Sequence, residues 1–486
     1  MIDETRDRLS YNTKDMAAEI IPSKKAVPPA SGTENQQQGL SRRTFLTAAG
    51  VVGGAVVVGG GAIGLRRPFS SPASAEQRSP SLFSVETFPL PDGYKHDLIF
   101  PPNEIIAAAD GGTSIALAPG KYLVLFGDTF GGELSFDKKR IESDLFPLAN
   151  TAVIIDEHTQ TMRVLTGQPD AEGHPTSWIS PKENDGTFYW PQCPTMVNGD
   201  LIVPLMRTLR QPNGWKYAAT DIKIFRDGNV DAEPEIISLP RPRPDEDFPT
   251  IWGTSIVSNV PDADGTKWTY IAGSTQLDPN TQPKGEFYGK EMRMARVRSG
   301  NLNQLDQWEF WNGAEWIQVK QTDDSRSHKA LETAWKTAEE YAAPVIGKDK
   351  LLSNNYTLHH IDGKFVITSK EWDNLGNKIN FFVADSLTGP FHLTSTIENL
   401  QQYIPDAYKP KEILPDKDGE KSVSNVTYAA YLHPEVPDPE NRNRMLVTFS
   451  ISPNSPNFVD EVKDNVDTYR RIAVWVDKEA ILNGKA

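Results

Sequence analysis

The sequence predicts an all-β fold, a five-bladed β-propeller with one short helical insertion. Three observations carry that reading. A strand, a turn and a second strand ending in polar residues recur five times, with turns roughly 65 to 100 residues apart. The chain holds 37 Pro and 35 Gly with 11 Trp and 14 Tyr, which suits frequent turns and aromatic packing rather than long helices. Helical spacing of apolar residues stands out only in Ser327–Ala343, where Leu331, Trp335 and Ala338 share one face. The polar flanks of that segment predict a surface insertion. A β-sandwich also uses repeated hairpins and is the competing architecture.

In chain order, residues 1–75 read as a leader. A polar stretch to residue 40 precedes SRRTFL at 41–46. An uncharged Gly- and Ala-rich run follows from Thr47 to Leu65, and Ala73-Ser74-Ala75 supplies a small-x-small cleavage site. This order resembles a twin-arginine export signal, cut after Ala75. It implies passage through the twin-arginine translocase, no stable membrane anchor, and an extracellular or envelope location. A membrane span is the alternative for a run of this length, but eight of its residues are Gly or Thr. Residues 76–90 read as a flexible linker and 91–486 as the propeller. Cys193 is the single cysteine, so no internal disulfide forms; its apolar WPQCPTM setting predicts an inert core thiol.

The whole chain carries −15, and its first 75 residues hold nine basic and six acidic side chains, leaving about −18 for the rest. Such a surface argues against nucleic acid and anionic lipid as partners. It suits a protein acting on a neutral polymer. No Gly-rich phosphate loop, zinc spacing or G-x-S-x-G elbow is present, and no cofactor is expected. The oxygen-rich segments Pro244–Phe248 and Asp278–Asn280 match no EF-hand loop, though a structural calcium in the channel would suit the fold.

The five units turn at Pro119-Gly120, Asn198-Gly199, Asp264-Gly265 and Asp362-Gly363, with a longer connection after Tyr431–Pro437 in the fifth. In a propeller the polar ends of the second strands, Asp128, Arg207, Ser274, Glu371 and Ser450, would gather at one mouth of the channel. The first unit is the sharpest. It reads DGGTSIALAPGKYLVLFGDT from Asp110 to Thr129, and folding at residue 119 places Asp110 opposite Asp128. Directly opposed side chains lie roughly 4.5–5.5 Å apart at Cβ. Two carboxylates that close repel, so one keeps its proton to higher pH. A proton donor beside an ionised partner is what glycosidic cleavage requires. A carboxyl separation of about 5–5.5 Å favours retention and about 6.5–9.5 Å inversion; opposed positions favour the former. The residues alone do not say which aspartate is the acid. Gly127 allows close backbone approach, and Thr129 is placed to bond a carboxylate.

The D-G-G-x-S…L-F-G-D-T pattern resembles a family of exported endo-D-arabinanases, five-bladed propellers once known only as a domain of unknown function. Looser matches are the Trp190-Pro191 blade entry, Trp268-Thr269-Tyr270, Asp385–Phe391 and Tyr431–Glu435, so the resemblance spans most of residues 95–480. It implies hydrolysis of the D-arabinan of arabinogalactan and lipoarabinomannan, with Asp110 and Asp128 catalytic.

Sugar rings stack on aromatic faces, which makes Trp190, Trp252, Tyr356 and Trp372 candidate contacts. Asn150, His359 and Asn425 are candidates for sugar hydroxyls. Glu142, Asp144, Glu371 and Asp373 are further acids near the expected mouth. His359 and His360 are neighbours on a strand and point to opposite faces, so they make no joint metal site. A non-catalytic glycan-binding propeller and a glycosidase for another furanoside, such as L-arabinan or fructan, are the competing functions.

Overall fold

A computed structural model describes residues 83–484 except 184, 212–213, 244–245, 247, 278–288, 321–326, 373–375 and 415–422. The leader and most of the linker, Asp278–Asn280, Asp373 and much of Pro244–Phe248 therefore lie outside the described residues. Five antiparallel sheets follow one another along the chain. Blade 1 runs outward from Ala108–Ala118 through Lys121–Gly131, Thr151–Asp156 and Thr161–Gly167, with Phe83–Pro89 added at its outer edge. Blade 2 is built on Asp200–Gln211 and Gly214–Phe225, its inner strand split into Thr187–Pro191 and Thr195–Val197. Blades 3, 4 and 5 open with Thr250–Pro261, Leu352–Ile361 and Asn425–Pro437.

The strands are apolar on both faces because each blade is packed on both sides. Leu123 and Leu125 join Leu201, Val203 and Leu205 of blade 2, while Tyr122, Val124 and Phe126, at alternating positions, join Val436 and Leu446 of blade 5. Equivalent clusters fill the seams between blades 2 and 3, 3 and 4, and 4 and 5. The five seams form a closed ring, a five-bladed β-propeller. The predicted turns are present, and Asp362 takes the left-handed conformation its turn needs (φ 48°).

The helix His328–Glu339, capped by the Ser327 hydroxyl, differs from the predicted surface insertion. Its Trp335 is fully buried in an edge-to-face cluster with Trp252 and Phe310. The apolar stripe covers the outside of the seam between blades 2 and 3; the polar flanks are only its outer face. Two shorter helices, Phe458–Asp464 and Lys478–Asn483, lie near the C-terminus. No helix among the described residues is long and apolar enough to cross a membrane.

Blades 1 and 5 share no strand. Single hydrogen bonds close the ring instead: Ala109 N donates to Tyr469 O at 3.2 Å, Ser450 Oγ accepts from Gly111 N at 2.9 Å, and Arg471 donates to Gly112 O and Leu98 O. Deeper in the channel, Ser114 Oγ lies 2.5 Å from His433 Nδ1 and also bonds Glu435, while His433 Nε2 is held by Thr448 at 2.7 Å.

Candidate active site

The first hairpin is bulged where its aspartates sit. Ala109 pairs with Thr129 and Gly111 with Phe126, leaving Asp110 alone to face Gly127 and Asp128 together. A bulge re-aims side chains out of the ladder, and here it brings both carboxylates to partners from blades 2 and 5. Three glycines permit it. Gly111 and Gly112 have φ of +75° and +92°, and a Cβ on Gly112 would collide with the Arg471 guanidinium. Gly127 is required by proximity: its Cβ would lie 2.6 Å from Asp110 Oδ1.

Each carboxylate is held from a different blade. Asp110 Oδ2 accepts Tyr469 OH at 2.6 Å and Tyr428 OH at 2.9 Å, both from the blade 5 side. The backbone N–H of Asp128 also donates to it. Asp128 Oδ1 accepts Trp190 Nε1 at 3.0 Å and lies 3.6 Å from Arg210 Nη2, both from blade 2. Both aspartates are half-buried, Asp128 keeping 16% of its side chain exposed, so the pair is reachable from outside.

Burial, and then the charge of Asp128, push the Asp110 carboxyl up to about 7; the two tyrosine hydroxyls pull it back only in part. Burial raises Asp128 as well, but the Arg210 charge and the Trp190 bond oppose the rise. Near neutral pH the arrangement therefore favours one shared proton on Asp110, with Asp128 ionised beside its cation.

Several predicted contacts belong elsewhere. Asn150 is fully buried; its Nδ2 donates to Ile179 O and Tyr189 O and its Oδ1 accepts from Ile179 N, a bracket between blades 1 and 2. Asn425 is likewise buried, donating to Tyr408 O at 3.1 Å. Trp252 packs inside the helix-covered seam and donates to Glu339 Oε1 at 2.6 Å. Tyr356 is fully buried between blades 3 and 4. None of these four is open to a sugar. His359 faces Glu435 and His433 in the channel, its Nε2 buried without a hydrogen-bond partner, and burial pushes it down to about 4. Thr129 bonds Gly127 O and Thr151, not a carboxylate. Glu142 and Asp144 are exposed on the loop after the hairpin.

Of the expected gathering of strand ends, Ser450 does reach Gly111 beside the pair. Arg207 is instead buried against Asp185 and Asp221, and Ser274 is buried within blade 3. Glu371 and Trp372 end the second strand of blade 4, partly exposed. Cys193 is buried near Tyr356 O, and burial pushes its thiol up to about 12. The described residues hold no group of three or more His, Cys, Asp or Glu side chains arranged to bind a metal ion. Tyr428, Tyr469 and Arg210 escaped the sequence reading: nothing local marks them, and only the ring brings them to the hairpin.

No curated protein matches the chain. Among solved structures, a protein of Bacteroides ovatus is 15% identical, with 80% of this chain and 89% of that one covered and a TM-score of 0.49. A glycoside hydrolase family 43 arabinoxylan arabinofuranohydrolase from Bacillus subtilis is 10% identical over 77% of this chain and 64% of that one, at TM-score 0.37. An exo-beta-1,3-galactanase from Phanerochaete chrysosporium is 11% identical over 76% and 61%, at 0.36. A family model matches residues 95–476, from the approach to the first hairpin into the last strand, all of the ring but the outer-edge strand Phe83–Pro89, and the chain thus belongs to the family described as Domain of unknown function (DUF5005).

Proposed function

We propose that the chain is a glycoside hydrolase that cuts within D-arabinan chains of cell-envelope arabinogalactan and lipoarabinomannan, after export by the twin-arginine route. The observation that carries the hydrolase reading is the Asp110–Asp128 pair on one bulged hairpin, with surroundings that separate the proton affinities of its two members. A binding-only propeller has no use for a half-buried, repelling couple that lowers its stability. The substrate and the leader rest on the sequence motifs, FGDT and SRRTFL.

In this reading Asp110 is the acid. Its proton passes to the leaving oxygen as the glycosidic bond breaks, and the tyrosine hydroxyls then stabilise the carboxylate that remains. Asp128, kept ionised by Arg210, faces the anomeric carbon as the nucleophile or as the base for water. Trp190 fixes the Asp128 side chain by its Nε1–H and offers its ring as a wall. Incubation of the purified protein with arabinogalactan should release oligosaccharides, and Asp128→Asn should not. Activity surviving that substitution removes the assignment; binding without cleavage by the unmodified protein points to the binding-only propeller.

A further inference from the structure

The blade 2 hairpin carries aromatic surface that the proton chemistry does not use. Its strands Asp200–Gln211 and Gly214–Phe225 pair Arg210 with Trp215 near the tip. On the inner side Phe188 pairs with Thr208 and Trp190 with Met206. Strand alternation puts Phe188, Trp190, Thr208, Arg210 and Trp215 on one face of the sheet. The rings form a row: Trp190 meets Phe188 edge to face at 5.2 Å and Trp215 at 5.5 Å. The Arg210 guanidinium lies 4.5 Å over Phe188. The row begins at Asp128, through Trp190 Nε1, and ends at Trp215, which keeps 36% of its surface in solvent.

The opposite face of the same hairpin is locked. Arg207 is buried there, with ion pairs of 2.9 Å to Glu183 and Asp185, and Tyr189 OH donates to Asp221 at 2.5 Å. The base of the hairpin is thus pinned on that face, and its other, aromatic face reaches Asp128 through Trp190. The Trp215 indole meets Trp190 and leaves part of its surface open to solvent. Held at a fixed place one ring beyond Trp190, it suits the apolar C–H face of a sugar ring, with Arg210 donors beside it for hydroxyls.

We infer that Trp215 is a stacking platform for a sugar residue of a glycan chain that continues outward from the cleaved bond. This rests on the hydrolase reading and deepens it, since a platform beyond the pair selects chains rather than single terminal sugars. The occupant is neutral: the chain is strongly acidic, and Arg210 is already engaged by Asp128.

The test compares the full protein with Trp215→Ala and Trp215→Phe on D-arabino-oligosaccharides of increasing length. Trp215→Ala should raise KM about three- to tenfold on chains long enough to reach the hairpin. The pH profile should stay fixed, and Trp215→Phe should restore most of the loss. An equal KM rise at every chain length, or none, overturns the platform while leaving the hydrolase reading intact. If the unmodified protein cleaves nothing, the hydrolase reading fails by itself. Tryptophan-fluorescence titration with the same oligosaccharides then decides the platform. Binding that weakens in Trp215→Ala supports it, and equal or absent binding removes it. A thermal melt of each variant separates lost contact from lost fold.

Discussion

Asp110 and Asp128 stand on the same hairpin, yet one is held by neutral hydroxyls from blade 5 and the other by a cation and an indole from blade 2. Tyrosine donors satisfy a carboxylate without supplying charge, so burial and the neighbouring anion still dominate at Asp110. A guanidinium does supply charge, and it holds Asp128 back from the same fate. The contrast shows how a local motif with two identical residues acquires two proton affinities: the difference is written on the flanking blades.

The most drastic way to break that contrast is to neutralise each member. Asp110→Asn and Asp128→Asn should each lower kcat/KM on D-arabinan by roughly 10²–10⁴-fold. An arabinofuranoside with a highly activated aryl leaving group should recover rate for Asp110→Asn alone, since that departure needs no acid. Recovery in Asp128→Asn instead would reverse the roles.

Gly127→Ala tests the contact between the two pockets. Its Cβ would be 2.6 Å from Asp110 Oδ1, so the carboxylate must move. The expected loss in kcat is on the order of 10²-fold, with an unchanged circular dichroism spectrum.

Two subtler variants sharpen the comparison through the pH profile. On the proposed reading activity needs Asp110 protonated and Asp128 ionised, so kcat/KM should fall as pH rises through about 7. Tyr469→Phe removes a donor that lowers the Asp110 carboxyl, and the alkaline limb should move to higher pH. Arg210→Gln removes the cation that lowers Asp128, and the acidic limb should move up instead. If both variants shifted the same limb, the two pockets would not be distinct.

The smallest effect is on stability. The folded carboxyl of Asp110 binds its proton more tightly than the unfolded one, from an ordinary 3.8 up to about 7. The folded state therefore holds more protons than the unfolded state between those values, and stability declines as pH rises through that window. Asp110→Asn should raise the melting temperature, corresponding to about 1 kcal/mol, and calorimetry should find a larger gain at pH 8 than at pH 5.

The fold was legible because each blade is a local hairpin with its own turn, and because the strands are apolar in near-continuous runs. The aspartate pair was legible for the same reason, lying 18 positions apart on one hairpin. Its partners were not, because Tyr428 and Tyr469 come from the far end of the chain and only ring closure sets them over the first strand. Polar residues at strand ends mislead for a related reason. Asn150 looks like a sugar contact in the sequence, but three backbone groups where blades 1 and 2 meet consume its amide. Trp252 and Tyr356 are aromatic residues of the kind that wedge between blades. A tryptophan directly after the Pro-Asn-Gly turn signal in the sequence, as at position 215, is the signal that could have been read: a large apolar ring on the exposed end of a strand.

The missing common strand between the first and last blades has a consequence for biosynthesis. A nascent chain stopped before residue 428 already carries both acids, with Trp190 and Arg210 to hold Asp128, but neither of the phenols that clasp Asp110. On the proposed reading, the first acid is held in place only when the tail of the polypeptide docks against its beginning, and any lesion that loosens that junction would cost activity before it unfolds the rest.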